Sequence, residues 1–227
     1  MRLPVLDDRL SRAAALFPAC EYGADIGADH GRLSCHLLGV DRCERMCVAD
    51  ISADSLEKAK NLLSLHGLSH RADITVGDGL FALDRPAQAI AILGMGGHTL
   101  SGILERGKDK LQGAALVLSA HTQLFLVRQT LMELEYSIET EEIAYAGGRH
   151  YVVLRARPGK SAYSEKEMFL GPVLMHSEDL MHYSDYLSWR ISLTQCKKNA
   201  EGERELKWLK EEYARVCHSG NDSESDQ

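Results

Sequence analysis

Five short apolar runs, Tyr22–Ile26, Met46–Ala49, Asp73–Val76, Gln88–Leu93 and Ala114–Ser119, are separated by stretches with helical spacing. No other feature of the chain restricts its fold as much. A short apolar run bounded by turn residues predicts a strand buried on both faces. Strands that alternate with helices pair in parallel, and a parallel sheet needs cover on both faces. The predicted helices are Leu33–Leu38, Ser52 to about His66, Leu100–Leu104 and Gln123–Leu134. Ser52 is placed to cap the second of these, and Gly67 to end it. An amphipathic helix, Leu6 to Phe17, precedes the first strand and stops at Pro18. Ser137–Ala144 and His150–Ala156 predict a hairpin about Ala146-Gly147-Gly148, adding an antiparallel strand at one edge. The expected architecture is therefore α/β, a doubly wound, Rossmann-like sheet over residues 1–158.

Pro158 and Gly159 break this rhythm, and no strand is predicted beyond them. Leu180, Tyr183, Leu187 and Ile191 recur at helical spacing, as do Leu206, Leu209, Tyr213 and Val216. The polar segment Lys198 to Gly202 lies between them. Residues 159–218 are thus expected to form a C-terminal α-helical hairpin resembling a short coiled coil. The last nine residues carry three acidic side chains and no basic one, and predict a disordered acidic tail over 219–227.

The net charge of −7 argues against a protein that grips nucleic acid with its whole surface, while leaving room for a local basic patch. None of the six cysteines forms a C-x-x-C pair, and no metal site is predicted. Charges at Arg2, Asp7, Asp8, Arg9 and Arg12 exclude a signal peptide in the opening residues, and no apolar run is long enough to span a membrane. These features predict a cytoplasmic protein with reduced thiols and no membrane partner.

The chemistry is concentrated where strands end. Ala24-Asp25-Ile26-Gly27-Ala28-Asp29-His30-Gly31 occupies the first strand-to-helix turn, which faces the ligand crevice of a doubly wound sheet. Dinucleotide binders place G-x-G-x-x-G there to cradle a pyrophosphate. Here Asp29 takes the second glycine position and Asp25 stands nearby. Two carboxylates repel a pyrophosphate and suit a ligand with a sulfonium and an amine, such as S-adenosylmethionine. The same turn also fits Asp residues that merely cap a helix. Asp50 follows the second strand at close to the ~20-residue interval at which a carboxylate meets ribose hydroxyls, and it too could cap a helix. Gly77-Asp78-Gly79 follows the third strand, where Asp78 could accept from an adenine amine or form an ordinary D-G turn. Gly94-Met95-Gly96-Gly97 follows the fourth strand, where glycines let backbone line a crevice and Met95 can pack on a flat base.

Ala24 to His30, Gly77-Asp78-Gly79-Leu80 and Gly94-Met95-Gly96-Gly97 together resemble the bacterial tRNA adenine-22 N1-methyltransferase family. The resemblance extends to Leu10 and Arg12, to Gly107-Lys108-Asp109-Lys110-Leu111, to Arg149-His150-Tyr151 and to Phe169-Leu170-Gly171-Pro172. It implies a class I methyltransferase fold with a coiled-coil appendage, S-adenosylmethionine as cofactor and tRNA as partner. It places Asp25, Gly27, Asp29, His30, Asp50, Ile51, Asp78, Gly79, Gly94, Met95, Gly96 and Gly97 around the cofactor. Asp25, Met95 and His121 become the candidates for the reacting centre. Two departures stand out: Ser119-Ala120-His121 replaces the family's Gln-Pro-Asn, and Asp50 stands where Glu is frequent.

For RNA contact the candidates are Arg9, Arg12, Arg149, His150 and Tyr151, since a cation beside an aromatic ring can hold a phosphate and stack a base. Lys197, Lys198, Arg204, Lys207, Lys210 and Arg215 are interleaved with glutamates and read as a solvated face. A monomer or weak homodimer is expected. Two other readings stay open at this level. One is a methyltransferase of small molecules or proteins. The other is a non-enzymatic nucleotide-binding module whose hairpin dimerises.

Overall fold

The computed structural model describes residues 3–222, with side chains through His218. The chain divides after Ser161 into two compact units. The first unit begins with α1 (Asp8–Leu16), whose N-terminus is capped by Asp7 accepting from the Leu10 amide at 2.8 Å. β1 (Cys20–Ile26), α2 (Arg32–Gly39), β2 (Cys43–Asp50), α3 (Ala53–Leu65) and β3 (Ala72–Val76) follow. Ser52 caps α3 as its position predicts, its hydroxyl accepting from the Ser55 amide at 3.2 Å. Next come β4 (Ala89–Met95), α4 (Gly97–Arg106), the single turn α5 (Lys108–Leu111), β5 (Ala115–Ala120) and α6 (Leu124–Glu133). β6 (Tyr136–Ala146) and β7 (Arg149–Pro158) close the unit.

The strands form one sheet in the order β3-β2-β1-β4-β5-β7-β6. β1 to β5 are parallel, while β7 runs antiparallel to both β5 and β6. The hairpin therefore folds back so that its second strand joins the sheet and its first becomes the edge. α1, α2 and α3 pack together on one face of the sheet, and α4 and α6 on the other. This double cover is why β4 and β5 read as continuous apolar runs: every residue from Ala89 to Leu93 and from Ala115 to Ala120 is buried.

The direction of chain travel reverses between β1, whose successors lie on one side, and β4, whose successors lie on the other. Crossovers leave opposite faces there, so the connections that follow β1 and β4 part around a crevice at the carboxyl ends of the strands.

One feature of the sheet runs against its pattern. The register of β6 against β7 shifts between Ile138 and Thr140, and the slip turns Glu141 inward. Glu141 meets Arg128 of α6, with Nε donating to Oε1 at 2.7 Å and Nη2 at 2.6 Å from the same oxygen. Both side chains are essentially closed to solvent, at 1% and 0% exposure.

In the second unit, α7 (Glu165–Leu170) precedes α8 (Leu180–Thr194) and α9 (Ala200–Asp222). α7 is an element the helical periodicity does not reveal. Its signal is local: Ser164 and Glu167 form a reciprocal capping box. α8 and α9 pack on one another. Tyr183, Leu187, Leu209 and Val216 are buried as the spacing predicts. Tyr213 is not, and Glu212 is buried in its place. The carboxylate is tolerated because it accepts from the Tyr183 hydroxyl at 3.3 Å and from Arg215 at 2.6 Å. The glutamates that interleave the appendage cations pair with them, as in Lys197–Glu205 and Lys207–Glu211. α9 continues through Asp222, into the segment expected as a tail, and residues 223–227 lie outside the described residues.

Candidate functional site

Three strand ends and one turn build the crevice. β1 delivers Asp25, which is 4% exposed and accepts from the Ser34 hydroxyl at 2.6 Å. Burial in a low-dielectric site pushes its carboxyl up to about 6, against the lowering effect of Ser34 and with a smaller push from Asp50. The chain then turns through Gly27, at φ +74°. A Cβ there would stand 2.8 Å from the Met95 methyl. Gly27 thus lets the ends of β1 and β4 close on one another, and only a residue without a side chain does so without strain.

The turn is tied to β2 through its backbone. Asp29 sits at φ +48° and donates its amide to Asp50 Oδ2 at 3.0 Å. Asp50 Oδ1 accepts from the Ser52 amide at 2.9 Å. The carboxylate of Asp29 accepts from the Ser55 hydroxyl at 3.3 Å and lies 3.5 Å from His30 Nε2, which is itself 3.2 Å from Lys58 Nζ. Gly77, one residue before Asp78, donates its amide to the Asp50 carbonyl at 3.1 Å. The ends of β1, β2 and β3 are in this way one hydrogen-bonded rim. Asp78 is exposed on that rim, 3.5 Å from Arg106 Nη2, and Gly79 packs beside Ile103. Ile51 stands 75% exposed next to Asp50, an apolar surface at the rim without protein cover.

A pocket opens in this crevice, and its walls include Asp25, Gly27, Ala28, Asp29, His30 and Leu93. Arg9, Leu10, Arg32 and Leu33 line it as well. Of these four, the sequence points to Arg9 as an RNA contact, and to Leu10 only through the resemblance. Arg32 and Leu33 give a weak signal: they are the first turn of α2, directly after Gly31, whose left-handed backbone packs against Ala59.

Beside the Gly94–Gly97 loop lies a second cluster, which shares Arg9 with the pocket. Gly94, at φ +77°, has Arg9 Nη1 3.1 Å from where a Cβ would stand. Arg9 Nη1 is 3.2 Å from His121 Nε2, and its guanidinium is 5.6 Å from the centre of the Tyr151 ring. Gly97 carries no side chain because a Cβ would strike the Gln123 carbonyl. His121 is held in turn by its amide, which donates to the Met95 carbonyl at 2.8 Å. Of the hairpin candidates, Tyr151 faces His121, with ring centres 5.4 Å apart, whereas His150 faces Tyr145 on the opposite side of the strand. Arg149 is exposed. Arg12 is held in ion pairs with Asp8 at 3.3 Å and Glu142 at 3.2 Å. Among the described residues, no group of three or more His, Cys, Asp or Glu is placed to hold a metal, and no helix is long and apolar enough to cross a membrane.

The pocket walls bring two carboxylates, Asp25 and Asp29, together with two guanidinium side chains, Arg9 and Arg32, and Asp50 stands on the adjoining rim, bonded to the Asp29 amide. With an antiparallel seventh strand inserted beside β5, sheet and pocket together define a methyltransferase of class I. The sequence pattern described as tRNA (adenine(22)-N(1))-methyltransferase matches residues 23–216, and the chain belongs to that family. It is 31% identical over 218 residues to the tRNA (adenine(22)-N(1))-methyltransferase of Bacillus subtilis (strain 168), covering 91% of this chain and 92% of that one. The crystal structure of the B. subtilis m1A22 tRNA methyltransferase matches with a TM-score of 0.79 at 27% identity, covering 95% of this chain and 99% of that one. A Streptococcus pneumoniae chain solved in complex with S-adenosyl-L-methionine has a TM-score of 0.84 at 21% identity, covering 92% and 100%, and shows the same fold.

Two expected results test the geometry. Asp25 has a folded-state carboxyl near 6 against an ordinary 3.8, so ionising it opposes folding. Its contribution favours the folded state below about pH 4 and is lost as pH rises through about 6, a difference on the order of 3 kcal/mol. Asp25→Asn, of the same shape and uncharged, is expected to raise the melting temperature of the free protein at pH 7.5, while weakening its hold on a cationic ligand at least tenfold by calorimetry. A lowered melting temperature would show that the ionised carboxyl stabilises the fold. Gly27→Ala places a methyl against Met95 at a left-handed position, costing about 1–2 kcal/mol of backbone strain alone. The variant should fold, melt a few degrees lower and lose most of its ligand affinity. Wild-type affinity in Gly27→Ala would mean that β1 and β4 do not close on the ligand.

Proposed function

We propose that this chain transfers the methyl group of S-adenosylmethionine to N1 of adenine 22 in tRNA. The observation that carries the reading is the buried Asp25 beside the Asp29–Asp50 bridge, a carboxylate-lined crevice at the one point where chain travel reverses. S-adenosylmethionine supplies a methyl on a sulfonium, ready for in-line displacement. The residues of the chain bind and orient. Asp25 and Asp29 accept from the cationic amine end, and Asp50 takes the ribose hydroxyls with its remaining lone pairs. Asp78 accepts from the adenine amine, with Ile51 against the ring. His30 and Gly79 complete the rim. Gly94, Met95, Gly96 and Gly97 separate this pocket from the face that bears His121 and Tyr151, where the target base enters.

Adenine N1 holds a free lone pair near neutral pH, so no strong base is needed. Catalysis comes from positioning, with acceptors stabilising the charge that develops on the base. N1 lies on the Watson–Crick edge, and the base must be unpaired or drawn from its stack to reach the site. Arg149 and Tyr151 receive the RNA near the hairpin, with Arg9 behind them. Arg12, already paired with Asp8 and Glu142, orders α1 against β6. Boundaries at residues 158 and 218, a cytoplasmic location and a monomer or weak homodimer complete the reading.

The test is direct. Calorimetry with S-adenosylmethionine is followed by labelled cofactor and unmodified tRNA, with the product digested and resolved. Label in 1-methyladenosine that disappears when adenine 22 is replaced supports the reading. Cofactor binding without label would move the substrate to a small molecule or protein, and no binding would leave a non-enzymatic module.

A further inference from the structure

Arg9 stands between the two halves of the site. It lines the pocket that holds Asp25 and Gly27, and on its other side it reaches His121 and the Tyr151 ring. A guanidinium has only donors, so at 3.2 Å from Nε2 it donates, and the imidazole nitrogen accepts. An imidazole that accepts at Nε2 is neutral and carries its hydrogen on Nδ1. We propose that Arg9 is a positioning residue that fixes His121 as the neutral Nδ1–H tautomer, so that no second cation faces the base as it becomes cationic.

Three features support this. The backbone of His121 is tied to Met95 through its amide, and its ring lies against Tyr151. Gly94 leaves the room that Arg9 Nη1 occupies, and a side chain there would compete for the same space. Burial, then the charges of Arg9 and Arg149, lower the tendency of His121 to protonate. The charged and titratable groups around it are Arg9 from α1 and Arg149 and Tyr151 from β7. The charge of Arg9 is constant and directed at Nε2 and the ring. The charge that pH could add is on His121, and a second cation beside a base acquiring positive charge opposes the transfer.

The proposal rests on the methyltransferase reading, and the experiment separates the two. Side-chain nitrogen NMR of the ¹⁵N-histidine protein gives the tautomer and titration of His121 in wild type, Arg9→Met, Arg9→Gln and Arg9→Lys. Methyl transfer to tRNA is measured between pH 5.5 and 8.5 at saturating S-adenosylmethionine, which keeps Asp25 ionised and removes it from the profile. Wild type is expected to show Nδ1–H and a rate that changes little between pH 8 and pH 6. In Arg9→Met the tautomer is no longer fixed and one of the charges opposing protonation is gone, while burial and Arg149 still act; a fully ordinary His of pKa 6.5 would be about one-quarter neutral at pH 6, which sets the upper limit. The pH 8 to pH 6 rate ratio should then rise, to at most about fourfold. Arg9→Gln retains a donor and should keep the tautomer while losing the charge effect, and Arg9→Lys should keep the charge effect. An Nε2–H signal in wild type, or an unchanged His121 in Arg9→Met, overturns the proposal. So does a moved titration with an unchanged rate ratio. If wild type labels no tRNA, the functional reading fails instead, and the NMR signature still decides whether Arg9 fixes the ring.

Discussion

Asp50→Ala is expected to weaken S-adenosylmethionine binding by about a hundredfold, the largest loss for any single side chain of the rim. The magnitude follows from the bonds. A carboxylate accepting from both hydroxyls of a ribose makes two charge-assisted bonds at about 1.5–3 kcal/mol each, and the lower end of their sum, about 3 kcal/mol, is slightly more than a hundredfold in affinity. Asp50 also accepts from the amides of Asp29 and Ser52. Its removal frees the left-handed turn at Asp29 as well as the ribose site. Asp50→Asn keeps one acceptor oxygen and should lose less than Asp50→Ala. Calorimetric titration of both variants checks this. A change below threefold in Asp50→Ala would remove Asp50 from the pocket and leave it as a cap of α3.

Glu141→Ala is expected to be the most destabilising substitution in the first unit, by about 3–5 kcal/mol, because it removes the carboxylate that faces the buried Arg128 guanidinium. For a chain of this size that is a fall in melting temperature of roughly 10 °C or more. Arg128→Met should cost a similar amount from the other side of the pair. The double variant Arg128→Met with Glu141→Leu removes both charges and should recover most of the loss, since apolar replacement of a buried pair is often neutral or better. Melting curves of the three proteins decide it. A Glu141→Ala variant within 1 kcal/mol of wild type would show that water reaches the pair. None of this touches the ligand pocket, so cofactor affinity measured below the melting transition should stay within threefold.

Both predictions rest on carboxylates, and they differ in how visible those carboxylates are in the chain. Asp50 follows an apolar run at a telling distance from Asp25, so its place at a strand end can be read directly. Glu141 lies in a run whose alternation would put it on either face. Only the slip in pairing between Ile138 and Thr140 turns it inward, and a slip in register is a property of two strands together. Arg128 looks like the wet side of an amphipathic helix until Glu141 is opposite it. The same holds for Glu212. Spacing along α9 favours Tyr213 for the buried seam, but the Tyr183 hydroxyl and Arg215 let Glu212 take that place.

The sequence by itself determined the element order, the parallel sheet, and the acidic turn at its first strand end. These depend on periodicity, turn residues and the chemistry of adjacent side chains, all of which are local. It also pointed to Asp25, Gly27, Asp29 and Asp50 as one site, because strand ends in such a sheet converge whatever the details of packing. Tertiary structure alone decided that β7 rather than β6 pairs with β5. It alone tied the Asp29 amide to Asp50, and brought Arg9 from the first helix onto His121 across 112 residues of chain. Those outcomes depend on which surfaces meet and on a single oxygen or nitrogen being within about 3 Å of its partner, distances that no spacing along a chain encodes.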